Sequence, residues 1–157
     1  MQKLLVVIAG PTAVGKTDFC VQLAQTLKTE VISADSRQFY RELSIGTAKP
    51  SDAELQGITH HFINSHSIDI SYSAGSFERD ALAVLDKLFE KQNVAILTGG
   101  SGLYIKAVCE GLDNLPETPP ELRAELMHRL ETEGLQSRRP QPGGCRSSGD
   151  KSAAAAG

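Results

Sequence analysis

A short segment near the start of the chain restricts its fold more than any other feature. The apolar run Leu4–Ala9 leads into a glycine-rich loop, and residues 17–27 then carry apolar side chains at helical spacing. The loop, residues 10–17, reads GPTAVGKT and matches the phosphate-binding pattern G-x-x-x-x-G-K-[ST]. A continuous apolar strand of this kind is typical of a parallel sheet covered on both faces. We therefore predict a buried strand, a phosphate-binding P-loop and a helix, in that order.

The P-loop predicts a phosphate site built mainly from backbone groups. Its glycines allow N–H groups to turn toward a phosphate, and the start of the following helix adds a partial positive charge. Lys16 is expected to pair with phosphate oxygens, and the Thr17 hydroxyl is expected to ligate Mg²⁺. The residues predicted to bind phosphate are Gly10, Pro11, Thr12, Ala13, Val14, Gly15, Lys16 and Thr17.

Strands and helices alternate along the rest of the body. Further strands are predicted at residues 30–33 and 94–97, and helices at residues 103–108 and from Pro120 to a stop at Gly134. The alternation predicts an α/β fold, a P-loop NTPase-like parallel sheet flanked by helices.

The stretch between the second and third predicted strands is less regular. Residues 41–73 have no clear period and are interpreted mostly as loop. A helix is then expected, with Ser76 as its N-cap and an apolar face of Leu82, Leu85, Leu88 and Phe89.

The loops after the three predicted strands carry the candidate chemistry. Right-handed crossovers place the carboxyl ends of parallel strands on one edge, so the loops at Gly10, Asp35 and Gly99 are expected to meet. A carboxylate beside a phosphate site is suited to act as a general base or to ligate Mg²⁺, and Asp35 is a candidate for both roles. Capping of a helix or a turn is the alternative role for Asp35.

Composition and charge narrow the class of protein. The chain has 157 residues and a formal net charge of −3. Residues 138–157 hold four basic residues and one acidic residue, a net of +3, which leaves −6 on residues 1–137. An acidic body does not favour nucleic-acid binding through bulk charge, so any RNA contact must be local.

No run of about 18 apolar residues is present, and three scattered cysteines suit a reducing compartment. We expect a cytoplasmic protein that does not bind a membrane.

The last stretch of the chain differs from the body. Residues 138–157 contain no Leu, Ile, Val, Met or aromatic residue, so they cannot bury enough surface to offset the entropy of ordering. We predict a disordered tail at 138–157. The abrupt change in composition resembles a premature or out-of-frame end, and the sheet is expected to be incomplete at the C-terminus.

Several segments, in a fixed order, resemble the tRNA dimethylallyltransferase family. The P-loop is followed by SADSRQFY at residues 33–40, IGTAKP at 45–50, the pair His60-His61, YSAGSF at 72–77 and GGSGLYIKA at 99–107. The resemblance covers residues 4–135 and is far more specific than the P-loop alone.

The resemblance implies the transfer of a dimethylallyl group from dimethylallyl diphosphate to the exocyclic amine of the adenosine next to the anticodon in tRNA. In that family the P-loop holds the diphosphate of the donor, with Mg²⁺ as the implied cofactor. Asp35 matches the general base, Lys16 would stabilise the leaving diphosphate, and Ser101 stands where the family usually has a substrate-contacting threonine. These three are the candidate catalytic residues.

The resemblance also implies contacts with the anticodon arm of tRNA. Ser36, Arg37 and Gln38 match the segment that, with Asp35, contacts the extruded base, and Ser101 and Arg123 match further tRNA-contacting positions. The implied division is a P-loop α/β core at 1–116, the first helix of a helical tRNA-contacting insertion at 117–137, and the tail. Members of the family continue with more helices and an arginine-bearing segment, neither of which follows Gln136. We expect a monomer.

Two other functions are open from the sequence. A small P-loop kinase of a nucleotide or metabolite usually carries an acidic residue after a later apolar strand, whereas the strand at 94–97 is followed by Thr98-Gly99-Gly100. The second alternative is an inactive fragment that still binds diphosphate. A metal site at His60, His61 and His66 is a weaker possibility, because no Cys or Asp partner has suitable spacing.

Overall fold

The computed structural model describes residues 2–113 and 120–134 of the chain. The chain divides into two compact units, Met1–Asp113 and Asn114–Gly157, each of which is described by itself. The elements found in the described residues are β1 (Leu4–Ala9), α1 (Lys16–Leu27), β2 (Val31–Ser33), α2 (Asp52–Leu55), β3 (His60–His61), α3 (Ala74–Lys91), β4 (Val94–Gly99), α4 (Gly102–Glu110) and α5 (Pro120–Glu133).

The strands form one parallel sheet in the order β1-β4-β2-β3. β4 lies between β1 and β2, and its register runs from Leu4 opposite Val94 to Ala9 opposite Gly99 on one side. On the other side, Val31 lies opposite Ile96. The prediction of an α/β fold with a P-loop NTPase-like parallel sheet is confirmed.

Helices cover both faces of this sheet. Neighbouring residues of a strand point to opposite sides, so each strand contributes side chains to the packing on both faces. On one face, Ile32 and Leu97 pack with α3 and α4 residues into the larger of two apolar clusters. On the other face, Val31 and Ile96 pack with Cys20 of α1. Cys20 has no solvent exposure, and this burial raises the pKa of its thiol.

β1 departs from its predicted environment. A strand buried on both faces was expected, but Leu4 is 53% exposed and Val7 is 41% exposed. Within the described residues β1 is an edge strand that pairs only with β4. An apolar run indicates that a strand is hydrophobic, but it does not indicate how many neighbouring elements cover that strand.

The long helix α3 begins earlier than predicted. Ser73, and not Ser76, is the N-cap, and its hydroxyl accepts a hydrogen bond from the Ser76 backbone N–H at 3.1 Å. Gly75 and Ser76, both weaker helix formers than alanine, concealed this start. The buried face consists of Phe77, Ala81, Leu85 and Leu88. Leu82, which was assigned to that face, is 42% exposed.

The stretch 41–73, interpreted mostly as loop, contains two short elements. α2 begins with a capping box, in which Ser51 and Glu54 each bind the other's backbone N–H. β3 extends the sheet, with Val31 of β2 opposite His60. Two histidines carry no apolar signal for a strand, so the sequence pattern could not reveal this pairing.

The second unit contributes α5, which confirms the predicted helix from Pro120 to a stop at Gly134. Leu122 and Met127 are 43% and 47% exposed. The predicted tail, residues 138–157, lies outside the described residues, and the three-part domain division stays a prediction. Across 2–113 and 120–134, no helix is both long enough and apolar enough to cross a membrane.

Gly99, the last residue of β4, shows how tightly the strands meet at the edge that carries the loops. A Cβ atom on Gly99 would lie 2.2 Å from the carbonyl oxygen of Ala34, far inside contact distance. The Ala34 N–H donates to the Thr98 carbonyl at this same point. Only glycine therefore allows β2 and β4 to stay paired to their ends.

Gly99→Ala is expected to lower the free energy of unfolding by about 1–3 kcal/mol, because the added methyl must push two paired strands apart. Gly100→Ala is the matched control, since a Cβ there would meet its nearest atom, the Gly10 carbonyl oxygen, at 3.5 Å. Urea titration followed by circular dichroism measures both. Equal losses of stability in the two variants would contradict this account of Gly99.

Candidate active site

The loops after β1, β2 and β4 meet at one edge of the sheet, as predicted from the parallel topology. They enclose a cavity of about 300 Å³, here called the P-loop cavity. Lys16 and Thr17 line it from the first loop, Asp35 from the second, and Gly99 and Gly100 from the third. Residues from three distant parts of the chain therefore line one space.

The P-loop backbone turns through left-handed conformations beside this cavity. Ala13 and Gly15 both have positive φ angles, 65° and 82°, and Gly15 is the N-cap of α1 without a side chain to satisfy the helix N–H groups. Such an end presents backbone donors and a partial positive charge to an anion. The Lys16 ammonium folds back and donates a hydrogen bond to the Pro11 carbonyl.

The predicted phosphate-binding residues are not equivalent in the structure. Residues 12, 13 and 15–17 line the P-loop cavity, whereas Val14 is 59% exposed and is not part of its wall. Gly10 donates its N–H to the Gly99 carbonyl, which continues the sheet. Pro11 has no N–H to offer and contributes its carbonyl to Lys16.

A second cavity of about 330 Å³ lies beside the first and is here called the Ser101 cavity. Its wall includes Ser36, Arg37, Thr47 and Ser101. Three residues line both cavities, namely Thr12, Asp35 and Gly100. Asp35 is the only residue with a carboxylate among these three, so the two spaces share one acidic group.

Asp35 is held by the turn that follows it. Its Oδ1 accepts the Arg37 N–H at 3.0 Å, and its backbone carbonyl accepts the Gln38 N–H at 3.1 Å. The carboxylate therefore caps this turn, the alternative role considered from the sequence. The cap uses one of its two oxygens, so capping does not conflict with a chemical role.

Ser101 joins the loops after β4 and β2. Its hydroxyl accepts the Ser36 N–H at 3.2 Å and lies 3.3 Å from the Ser36 hydroxyl. Arg37, next to Ser36, is exposed and lines the Ser101 cavity. Ser101, Ser36 and Arg37 are thus brought together with Asp35, while Arg123 lies on α5 in the second unit.

Gln38 is committed to contacts inside the protein. Its amide N–H₂ donates to the carbonyls of Thr47 and Ala48 at 3.3 and 3.1 Å, and its amide oxygen accepts the Ser33 hydroxyl at 3.3 Å. The side chain therefore holds residues 46–50 against the turn after β2.

Sequence reasoning assigned no role to that held segment, which supplies Ala48, Lys49 and Pro50 to the P-loop cavity and Gly46 and Thr47 to the Ser101 cavity. The signal was present, because IGTAKP was one of the matched motifs. Its distance along the chain from the P-loop concealed that it forms a wall of the same site.

The three candidate metal-binding histidines have separate structural roles. His60 lies on β3 with Nδ1 3.0 Å from the Ile58 carbonyl, and His61 Nε2 lies 2.6 Å from Glu30. His66 stacks on the Tyr72 ring with centroids 3.8 Å apart. Within residues 2–113 and 120–134, no group of three His, Cys, Asp or Glu side chains is placed to hold a metal ion.

A parallel sheet with a GPTAVGKT loop between its first strand and first helix, opening on a cavity, defines a P-loop phosphate-binding α/β protein. The IPP transferase family matches residues 38–141, and the chain belongs to this family.

Curated relatives and solved structures agree with this assignment. The tRNA dimethylallyltransferases of Christiangramia forsetii and Cytophaga hutchinsonii are 52% and 51% identical, and the matches cover 86% and 87% of this chain. The full-length tRNA isopentenylpyrophosphate transferase of Bacillus halodurans is 38% identical with a TM-score of 0.69, over 87% of this chain and 45% of that one. A eukaryotic dimethylallyltransferase acting on tRNA is 29% identical with a TM-score of 0.68, over 80% of this chain and 32% of that one. The chain spans 45% of the length of both curated relatives.

The structural role of His60 predicts a pH dependence of stability. Its Nε2 is buried without a hydrogen-bond partner among the residues described, and burial lowers the pKa of the imidazole. The unfolded chain, in which His titrates near its ordinary pKa of about 6.5, therefore binds the proton more readily. Stability contributed by neutral His60 is present above about pH 6.5 and is lost as the pH falls below it.

Urea midpoints between about pH 7 and pH 5 test this effect, and His60→Gln should flatten the fall in stability. His128→Gln, at an exposed position of α5, is the control and should leave the slope unchanged. An equally steep slope in His60→Gln would assign the acid sensitivity to another group.

Proposed function

We propose that this chain provides the donor and base sites of a tRNA dimethylallyltransferase, which transfers a dimethylallyl group from dimethylallyl diphosphate to the exocyclic amine of the adenosine next to the anticodon. The observation that carries the proposal is the shared position of Asp35 in the walls of two adjacent cavities. A group-transfer reaction between two substrates needs such an arrangement, with the reacting atoms meeting at one catalytic group.

The P-loop cavity is assigned to the diphosphate of the donor. Backbone N–H groups at the start of α1 and the Lys16 ammonium supply positive potential there. As the C–O bond to the dimethylallyl carbon breaks, negative charge accumulates on the leaving diphosphate. Lys16 and the backbone N–H groups of the loop stabilise this charge.

The Ser101 cavity is assigned to the extruded adenine. The exocyclic nitrogen forms the new bond to the dimethylallyl carbon and releases a proton, which the Asp35 carboxylate accepts. Ser36 and Ser101 line this cavity, and their hydroxyl groups would orient the base. Arg37 is exposed and would contact the RNA backbone. Gln38 contributes by holding the wall formed by residues 46–50.

Mg²⁺ fits the oxygen donors of the P-loop cavity. The Thr17 hydroxyl and the Asp35 carboxylate both line it, and Mg²⁺ commonly takes one or two protein oxygens and completes its shell with phosphate oxygens and water. When bound, the ion neutralises charge on the diphosphate. Thr17 is the proposed ligand, and Asp35 is a second candidate.

The names of the relatives support tRNA as the acceptor and do not favour a small-molecule kinase. β4 also ends in Thr98 and Gly99 at the cavity, without the acidic residue that a kinase usually places there. The anticodon arm of tRNA as partner, the cytoplasm as compartment and a monomeric state remain part of this proposal.

Lys16→Ala is expected to weaken binding of dimethylallyl diphosphate at least about tenfold, because one charge-assisted contact to a multiply charged group is lost. Its fold should be retained, since the one hydrogen bond of the ammonium among the described residues is to the loop carbonyl of Pro11. Isothermal calorimetry with Mg²⁺ present measures the affinity, and exposed Lys87→Ala is the control. Unchanged affinity in folded Lys16→Ala would remove the P-loop cavity as the donor site.

Asp35→Asn is expected to keep donor binding and to lose about 10²–10⁴-fold in turnover, because the amide preserves the shape but cannot accept the proton. Turnover is measured by nucleoside mass spectrometry on undermodified tRNA. Residues 1–135 are fused to the remaining part of the Christiangramia forsetii enzyme, because this chain spans 45% of that relative. A parallel fall in donor affinity and rate would assign Asp35 to the magnesium site, and another group would then be the base.

A further inference from the structure

The P-loop cavity has an unfavourable charge balance for the ligand proposed to bind there. Three acidic side chains line it, those of Asp18, Asp35 and Glu54, against the two cations Lys16 and Lys49. A diphosphate carries several negative charges, and bringing it beside carboxylates costs free energy unless cations compensate. Lys16 alone does not offset the three lining acids, so a second lining cation, Lys49, would add to the positive potential that the backbone N–H groups and Mg²⁺ supply.

The ammonium of Lys49 is fixed by two neutral oxygen atoms. It donates to the Tyr40 carbonyl at 2.7 Å and to Asn64 Oδ1, also at 2.7 Å. Neither acceptor carries a formal charge, so the positive charge of Lys49 is not cancelled by these contacts. Lys106 is different, because it lies 3.8 Å from the Glu110 carboxylate.

These two contacts leave the ammonium with capacity for a ligand. A lysine ammonium has three N–H donors, and the two bonds use two of them. Lys49 is a half-buried residue of the cavity lining, and a half-buried charge is less screened than one on the open surface. A third, charge-assisted bond to a phosphate oxygen would complete its shell.

The backbone around Lys49 is held in place as well. Gln38 donates to the carbonyls of Thr47 and Ala48, and the Thr47 hydroxyl donates to the Leu43 carbonyl at 3.1 Å. Pro50 restricts the conformation of Lys49 itself. A cation on a segment held in this way loses little freedom when it meets a ligand.

We infer that Lys49 is a second diphosphate-binding cation, which acts with Lys16 from a different wall of the P-loop cavity. The inference rests on the proposed function, because it assigns a partner to the same diphosphate. It gives the segment at 45–50 a binding role in addition to its role as a wall.

Calorimetry with inorganic diphosphate and Mg²⁺ on this chain tests the inference. Lys49→Met is expected to weaken binding by about tenfold to a hundredfold, as the loss of one charge-assisted contact predicts. Lys49→Gln removes the charge but keeps an N–H₂ donor on a side chain one bond shorter, so it disturbs the loop less than Lys49→Met and should show the same loss. Exposed Lys87→Met, on α3, is the control for a lost surface charge and should bind like the original chain.

Asn64→Ala separates charge from anchoring. This variant removes one anchor of Lys49 and keeps the ammonium, so binding should stay within about threefold if the charge is what matters. A loss in Asn64→Ala as large as that in Lys49→Gln, or unchanged binding in folded Lys49→Gln, would overturn the inference and leave Lys49 as an anchor of its loop.

Lys16→Ala distinguishes failure of the inference from failure of the proposed function. Binding that depends on Lys16 but not on Lys49 overturns only the inference. Binding of diphosphate that does not depend on Lys16 overturns the assignment of the P-loop cavity itself, and the inference with it.

Discussion

The pairing of β4 with both β1 and β2 is the interaction on which the site depends. Each strand by itself ends in a loop with no fixed relation to the others. Because β4 lies between two parallel partners, the three loops leave the sheet at the same edge and at nearly the same height. The absence of a side chain at Gly99 lets this pairing continue to the last residue, beside Ala34, where the cavities begin.

The site combines firmly held groups with groups that face the cavities. Gln38, Asn64 and the Ser36–Ser101 contact all tie one loop to another through hydrogen bonds inside the protein. In the contacts described, the Lys16 ammonium donates to the Pro11 carbonyl and the Arg37 guanidinium makes no hydrogen bond, so neither charge is cancelled by an acidic partner. Catalysis by positioning needs both kinds, because a charged group acts well only on a rigid frame.

The charges around the site impose a requirement on ligand binding in addition to the shape of the cavities. The body of the protein is acidic, and the P-loop cavity itself is lined by more carboxylates than ammonium groups. An anionic ligand in this cavity would therefore depend on a few well-placed cations and on backbone donors, and not on the overall field of the protein. Lys49, whose contacts are with neutral acceptors, is suited to this purpose.

The sequence by itself determined the local features. The P-loop, α1, β4 and the meeting of the loops at Gly10, Asp35 and Gly99 were predictable, because a phosphate loop and helical spacing are short-range patterns and parallel strands share their carboxyl ends. Tertiary structure alone decided three things: that β1 is an edge strand in the described sheet, that the His60–His61 pair extends it, and that residues 46–50 form a wall of both cavities. Each of these depends on contacts between segments far apart in the chain. A local sequence pattern does not predict such contacts. The same segment could pair with many others, and only the folded chain brings one partner within hydrogen-bonding distance.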